Sequence, residues 1–206
     1  MNALTEEQKE LLAAVSARMV AEPIETPRVL LRPFREDDFA DFFEFAAQRE
    51  LQRLSGNPPV STEAEAREAF AGHFTPEHPP LSFAIAHKAD GKVIGAFSVA
   101  VHPLLCHDEA LQNRRGITLS CVLHEAYQRR GIVTELLRAA LAWYFEKTDL
   151  EYVNTGYFTF NEGSRRVQEK VGMRYYRDHV YDPEGRKIPT REMILFREEY
   201  LALRVR

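Results

Sequence analysis

Cysteine is almost missing from this chain of 206 residues: Cys106 and Cys121 are the only two, too few for a disulfide framework. A surplus of positive charge is missing as well. Lys and Arg number 27 against 31 Asp and Glu, a formal net charge of -4, so composition supplies no basic face of the kind that binds nucleic acid. No run approaches the roughly 18 apolar residues that a membrane span needs. The opening segment, MNALTEEQKELL, is polar and acidic where a secretory signal is basic and then apolar. GxxxxGK followed by Ser or Thr, the loop that cradles a nucleoside triphosphate, does not occur. Together these absences predict a soluble protein of a reducing, cytoplasmic compartment without a nucleic-acid or membrane partner.

What is present suffices for one core. Hydrophobic residues make up 45%, and two full domains would be cramped at this length. Residues 5–20 predict a helix, with Thr5 and Gln8 at capping-box spacing and Leu12, Val15 and Met19 on one face. Pro23 and Pro27 end it, so residues 1–22 read as a helical extension of a domain over 23–206. The extension's apolar stripe needs a cover, either its own domain or a second subunit, which leaves monomer and homodimer open. RVLLRPF (28–34) reads as a strand, Asp37 and Asp38 as the acidic start of a helix bearing Phe39, Phe42 and Phe43, and 63–73 as a second helix. LSFAIAH and KVIGAFSVAV flank Ala89-Asp90-Gly91 as a hairpin. Strands follow at 116–123, 151–158, 174–181 and 191–196, with helices from Val133, over 162–171 and at the C-terminus. The pattern predicts an α/β (α+β) fold with a single mixed sheet flanked by helices.

One stretch concentrates positive charge in an otherwise acidic chain. YQRRGIVTELL (127–137) places Arg129, Arg130 and Gly131 where a strand turns into a helix. Unpaired N–H groups and the positive end of the helix dipole converge there, and a glycine lets a ligand approach the backbone. Such a turn favours a phosphate or pyrophosphate, although many turns of this kind are only caps with solvated arginines.

About 30 residues on stands NEGSRRVQEKVGM (161–173). Together with Gln128 through Val133 it resembles the GNAT acyltransferase superfamily, in its RimJ/RimL-like branch. ETPRVLLRPFREDD near the start and REMILFREEYL near the end are similar to the same branch, so the resemblance spans roughly residues 24–201. It implies a splayed sheet, acetyl-coenzyme A as cosubstrate, no metal, and acetyl transfer to a primary amine. It also implies roles. Gln128, Arg129, Arg130, Gly131, Val133 and Thr134 would contact the pyrophosphate, and Val122 or Leu123 would pair with the pantetheine arm and supply an oxyanion N–H. Asn161 would assist at the cofactor while capping its helix. Ser164 would assist the departing thiolate by a hydrogen bond or proton relay. Gln168 stands where other branches use a tyrosine acid. Two positions depart from the pattern: Val133 replaces a usual Gly or Ala beside the phosphates, and Thr118 replaces a Glu that many members carry on the strand.

Without that Glu the sequence favours an acceptor of low pKa, such as a peptide or protein N-terminal α-amine, with His102 or Asp108 able to supply a base through water. Transfer of another acyl group such as succinyl, a small-molecule amine acceptor, and a non-catalytic acyl-CoA-binding module are the alternatives. His102, Cys106, His107 and Asp108 crowd possible metal ligands together, but no second ligand pair backs them. Glu125 reads as a solvated turn residue.

Overall fold

The N-terminal helix α1 (Glu6–Ala21) begins at a complete capping box, in which Gln8 N donates to Thr5 Oγ1 and Thr5 N to Gln8 Oε1. A computed structural model of the chain describes residues 4–57, 60–74, 80–101, 108–182 and 185–204. The apolar stripe of α1 is covered by its own chain: Leu11, Leu12, Val15 and Met19 join the principal hydrophobic core. Tyr144 donates its hydroxyl to Met19 Sδ at 3.0 Å, and Trp143 Nε1 donates to Glu22 O at 3.0 Å.

Strand β1 (Val29–Pro33) is followed by a short 3-10 turn and by helices α2 (Phe39–Ala46), α3 (Arg49–Ser55) and α4 (Glu63–Ala71). Strands β2 (Ser82–His87), β3 (Lys92–Ala100) and β4 (Gly116–Leu123) lead to helix α5 (Ile132–Lys147). Strand β5 (Tyr152–Phe158), helix α6 (Glu162–Lys170), strands β6 (Arg174–Tyr181) and β7 (Ile188–Phe196) and helix α7 (Arg197–Arg204) complete the order. The seven strands form one sheet, β1-β2-β3-β4-β5-β7-β6. Every neighbouring pair is antiparallel except β4 and β5, because a parallel pair needs a crossover and α5 provides it.

Alternation along the strands divides the two faces. Phe83 and Ile85 of β2 enter the core beneath α1 and α5, whereas Ala84 between them joins Phe34, Phe42, Phe45 and Phe70 beneath α2 and α4. A part-buried ion pair stands at the end of β1. Arg32 grips Asp38 bidentately at 2.6 and 2.7 Å. Burial pushes the Asp38 carboxyl up, but Arg32 and the N–H of Arg35 outweigh it and hold the group below its ordinary value.

Helix α3 has no counterpart in the apolar periodicity, since Leu51 is its only buried residue. It is closed instead by Gly56 at φ +73 and tethered by Gln52, whose amide donates to Ala46 O and Val60 O. Among the described residues no helix is long and apolar enough to cross a membrane.

Candidate active site

Strands β4 and β5 share only the pairs Gly116–Tyr152, Ile117–Val153 and Thr118–Asn154. Beyond them the two strands part and leave a V-shaped opening in the sheet. The register decides which backbone groups line it. His124 N donates to Ile94 O at 2.8 Å, and β3 pairs with β4 in step with that bond. Even-numbered residues of β4 therefore spend their backbone groups on β3, and Leu119, Cys121 and Leu123 aim theirs into the opening. Val122 lies on the wrong parity for that role: a Cβ added to Gly95 of β3 would sit 2.1 Å from Val122 O. Leu123 points inward, but its carbonyl already accepts from Gln128 Nε2 at 2.8 Å. Cys121 occupies the middle of this edge. Burial pushes its thiol up to about 12, so the position offers backbone groups and not a nucleophile. On the far side Thr159 N donates to Pro189 O, and the same alternation turns the backbone of Asn154, Gly156 and Phe158 toward the V.

The turn at the mouth of the V has two left-handed residues, Arg129 at φ 58 and Gly131 at φ 77, on either side of Arg130. Alternating handedness curls successive N–H groups toward one point, an anion-binding nest, and α5 starts immediately afterwards. A left-handed non-glycine residue is uncommon, and Arg28 helps brace this one. Its Nη1 donates to Arg130 O at 2.7 Å and its Nε to Glu135 Oε2 at 2.7 Å. Burial pushes Glu135 up, but hydrogen bonds from Thr26 and Arg28 hold its carboxyl below the ordinary value. Arg28, Gly131, Thr134, Glu135, Arg138 and Lys170 line an open depression of about 570 Å³. Arg28, Arg138 and Lys170 stand far apart in the sequence, and only the fold brings these three cationic side chains together. Val133 leans into the principal core, so its branched side chain is accommodated away from the nest.

Helix α6 borders the V from the β5 side. Asn161 Oδ1 accepts from Ser164 N at 3.0 Å, and Asn161 Nδ2 donates to Leu54 O at 3.3 Å. Its side chain thus caps α6 and ties it to the end of α3. Ser164 Oγ accepts from Gln168 Nε2 at 2.9 Å, and the same nitrogen donates to Gly156 O at 3.2 Å.

Across the opposite face of the sheet runs a buried polar chain. Thr118 Oγ1 donates to Asn154 Oδ1 at 2.7 Å, and Asn154 Nδ2 donates to Glu192 Oε2 at 3.0 Å. His179 Nδ1 stands 3.4 Å from Glu192 Oε1. Glu192 lies within REMILFREEYL, but nothing in that segment marks its partners, because β5 and β7 are brought together only by the sheet. Of the crowded loop residues, His102, Cys106 and His107 lie outside the described residues. Asp108 accepts from the Tyr176 hydroxyl at 2.8 Å and lies 3.6 Å from Arg177 Nη1. Glu125 is exposed in a 3-10 turn and donates its N–H to Gln48 Oε1.

Residues 28–174 match the family described as "Acetyltransferase (GNAT) domain". Solved structures with the same fold include a GCN5-related N-acetyltransferase from Brucella melitensis, 20% identical, with 89% of this chain and 82% of that one covered and a TM-score of 0.73. RimL, a ribosomal L7/L12 alpha-N-protein acetyltransferase in complex with coenzyme A, is 16% identical, with coverage of 85% and 98% and a TM-score of 0.67. Spermidine N-acetyltransferase from Vibrio cholerae, in complex with coenzyme A and spermine, is 17% identical, with coverage of 85% and 99% and a TM-score of 0.65. No curated protein matches the chain at a significant level.

Proposed function

Since the chain belongs to the GNAT acetyltransferase family, we propose that it moves the acetyl group of acetyl-coenzyme A onto a primary amine, specifically the α-amine of a peptide or protein N-terminus. The observation that carries the reading is the three-pair contact of β4 and β5, opening into a V beside a nest with two left-handed residues. Gln128 to Gly131, Val133 and Thr134 would receive the pyrophosphate, with Arg28 bracing the turn. The inward backbone of β4, centred on Cys121, would run alongside the pantetheine arm. A β4 N–H at the thioester carbonyl would stabilise the oxyanion as the amine attacks.

Cosubstrate chemistry supplies the activated thioester; the protein supplies position. The amine's lone pair forms the C–N bond, and the C–S bond breaks with its electrons on sulfur. The proton that the nitrogen loses ends on that sulfur by way of water or a hydroxyl relay, giving the amide and free coenzyme A. Ser164, in the first turn of α6, would hydrogen-bond the departing thiolate. A serine hydroxyl is too weak an acid to ionise here, so the contribution is a hydrogen bond or a relayed proton.

Acceptor choice follows from the polar chain. Only a neutral amine attacks, and a lysine amine of pKa about 10.4 is harder to neutralise at pH 7 than an α-amine near 7.8, by about 3.5 kcal/mol. A strong base would offset the difference. Thr118 has no carboxylate, and Glu192 beyond it is 2% exposed with one oxygen bound by Asn154. The site therefore favours an amine that is partly neutral unaided. RimL, by its name, acts on such an amine. The test is kcat/KM near pH 7 for one peptide with only its α-amine free and one with only a lysine amine free, with spermidine as a third acceptor. Faster turnover of the lysine peptide or of spermidine rejects the α-amine reading.

A further inference from the structure

We propose that Gln168 is a positioning residue that fixes the hydroxyl rotor of Ser164, so that the serine proton is directed at the sulfur leaving acetyl-coenzyme A. The inference rests on the acetyl-transfer reading and adds the group that orients its acid.

The amide orientation of Gln168 follows from its partners. Gly156 O is a carbonyl and can only accept, and it lies 3.2 Å from one end of the Gln168 amide. That end must be nitrogen, because the reverse orientation would set two acceptors against each other. The same nitrogen is 2.9 Å from Ser164 Oγ. With one N–H on Gly156, its other N–H is on the serine, and the serine must accept. Its own proton is then turned away from the Gln168 amide. Among the described residues Ser164 Oγ donates to no protein group, so the proton remains available to a ligand in the V.

Three further observations fit this role. Gln168 is 2% exposed, and its Oε1 is buried without a hydrogen-bond partner. That unsatisfied acceptor costs stability, which the two bonds of the amide nitrogen offset. Gly156 O, the anchor, belongs to the backbone that faces the opening. Ser164 also sits in the first turn of the nine-residue α6, where the helix dipole favours developing negative charge on sulfur. Donation by Gln168 into the serine oxygen additionally polarises its O–H, which strengthens the bond to the thiolate.

The experiment uses the full chain and coenzyme A itself, so it needs no acceptor. The pKa of the bound coenzyme A thiol is read from thiolate ultraviolet absorbance as pH is raised, with affinity and melting temperature measured in parallel. Ser164→Ala should raise that pKa by about one unit, a tenfold loss of thiolate stabilisation. Gln168→Met, which fills the same space without a donor, should raise it partway while coenzyme A affinity and melting temperature stay near wild type. Gln168→Glu should raise it as far as Ser164→Ala, since an ionised carboxylate captures the serine proton. In the Ser164→Ala background Gln168→Met should add nothing. Should Gln168→Glu fail to fold, Gln168→Met and the double variant decide the matter alone. A wild-type thiol pKa in Gln168→Met, with Ser164→Ala shifted, overturns the positioning role and leaves Ser164 as the acid. An unshifted Ser164→Ala sinks the role of the serine itself.

Discussion

Thr118 and Asn154 are joined by a 2.7 Å hydrogen bond at the last pair that β4 and β5 share. The bond therefore marks the apex of the V, and it ties the parting strands to Glu192 on β7 through Asn154 Nδ2. Asn154 is 1% exposed, so each of its polar atoms depends on a protein partner.

Thr118→Val keeps the shape of the side chain and removes the donor. Asn154 Oδ1 is then left buried and unsatisfied, at a cost of about 1–3 kcal/mol. Urea unfolding should show that loss with an unchanged m-value. A Thr118→Val protein as stable as wild type would contradict the buried chain.

Gly131 separates backbone strain from charge in the nest. A Cβ there meets only Arg28 Nη2, at 3.6 Å, but φ is 77. Gly131→Ala should therefore cost about 1 kcal/mol of stability and retain coenzyme A binding within a few-fold. Gly131→Glu adds a carboxylate at the position proposed for the phosphate and should abolish binding in calorimetry while circular dichroism stays native. Equal affinities for wild type and the Glu variant would remove the nest from the site.

Asp38 links acidity to stability. Its folded carboxyl is held below the ordinary value by Arg32 and the N–H of Arg35, which overcome the upward push of burial. The stabilisation is thus fully present above the unfolded pKa of about 3.9 and is lost as pH falls through the lower folded value. Asp38→Asn should cost about 1–3 kcal/mol near neutral pH, because the half-buried Arg32 loses its counter-charge. Melting temperature plotted against pH should fall less steeply below about pH 4 in the variant than in wild type. Parallel curves would show that the pair does not drive acid unfolding.

Helix α1 forms part of the principal core. Leu11, Leu12, Val15 and Met19 are each buried to within 8% exposure or less, and each is worth about 1.5–3 kcal/mol. Their sum is comparable to the whole stability of a domain, about 5–15 kcal/mol. Deleting residues 1–22 should give a chain with no cooperative melting transition at 25 °C or above. A truncated protein that melts like wild type would show that the helix is dispensable.

The elements whose instructions are local were legible in the sequence. The capping box at Thr5 and the strand-to-helix step at Gly131 rest on residues a few positions apart, and β4, α6 and the start of α5 lie within a residue or two of their expected bounds. Helix α3 escaped notice because tethers from Gln52 and a left-handed Gly56 define it, with little periodicity. Tertiary structure alone decided the rest. Backbone parity on β4 selects Leu119, Cys121 and Leu123 over Val122, since it depends on how β3 pairs. Arg28 reaches the nest across more than a hundred residues. Glu192 meets Asn154 only because β7 lies between β5 and β6. Sequence determined which residue types stand near each turn, through short-range capping and alternation. Which of their polar atoms face the opening was decided by strand register, and a register exists only once the sheet has formed.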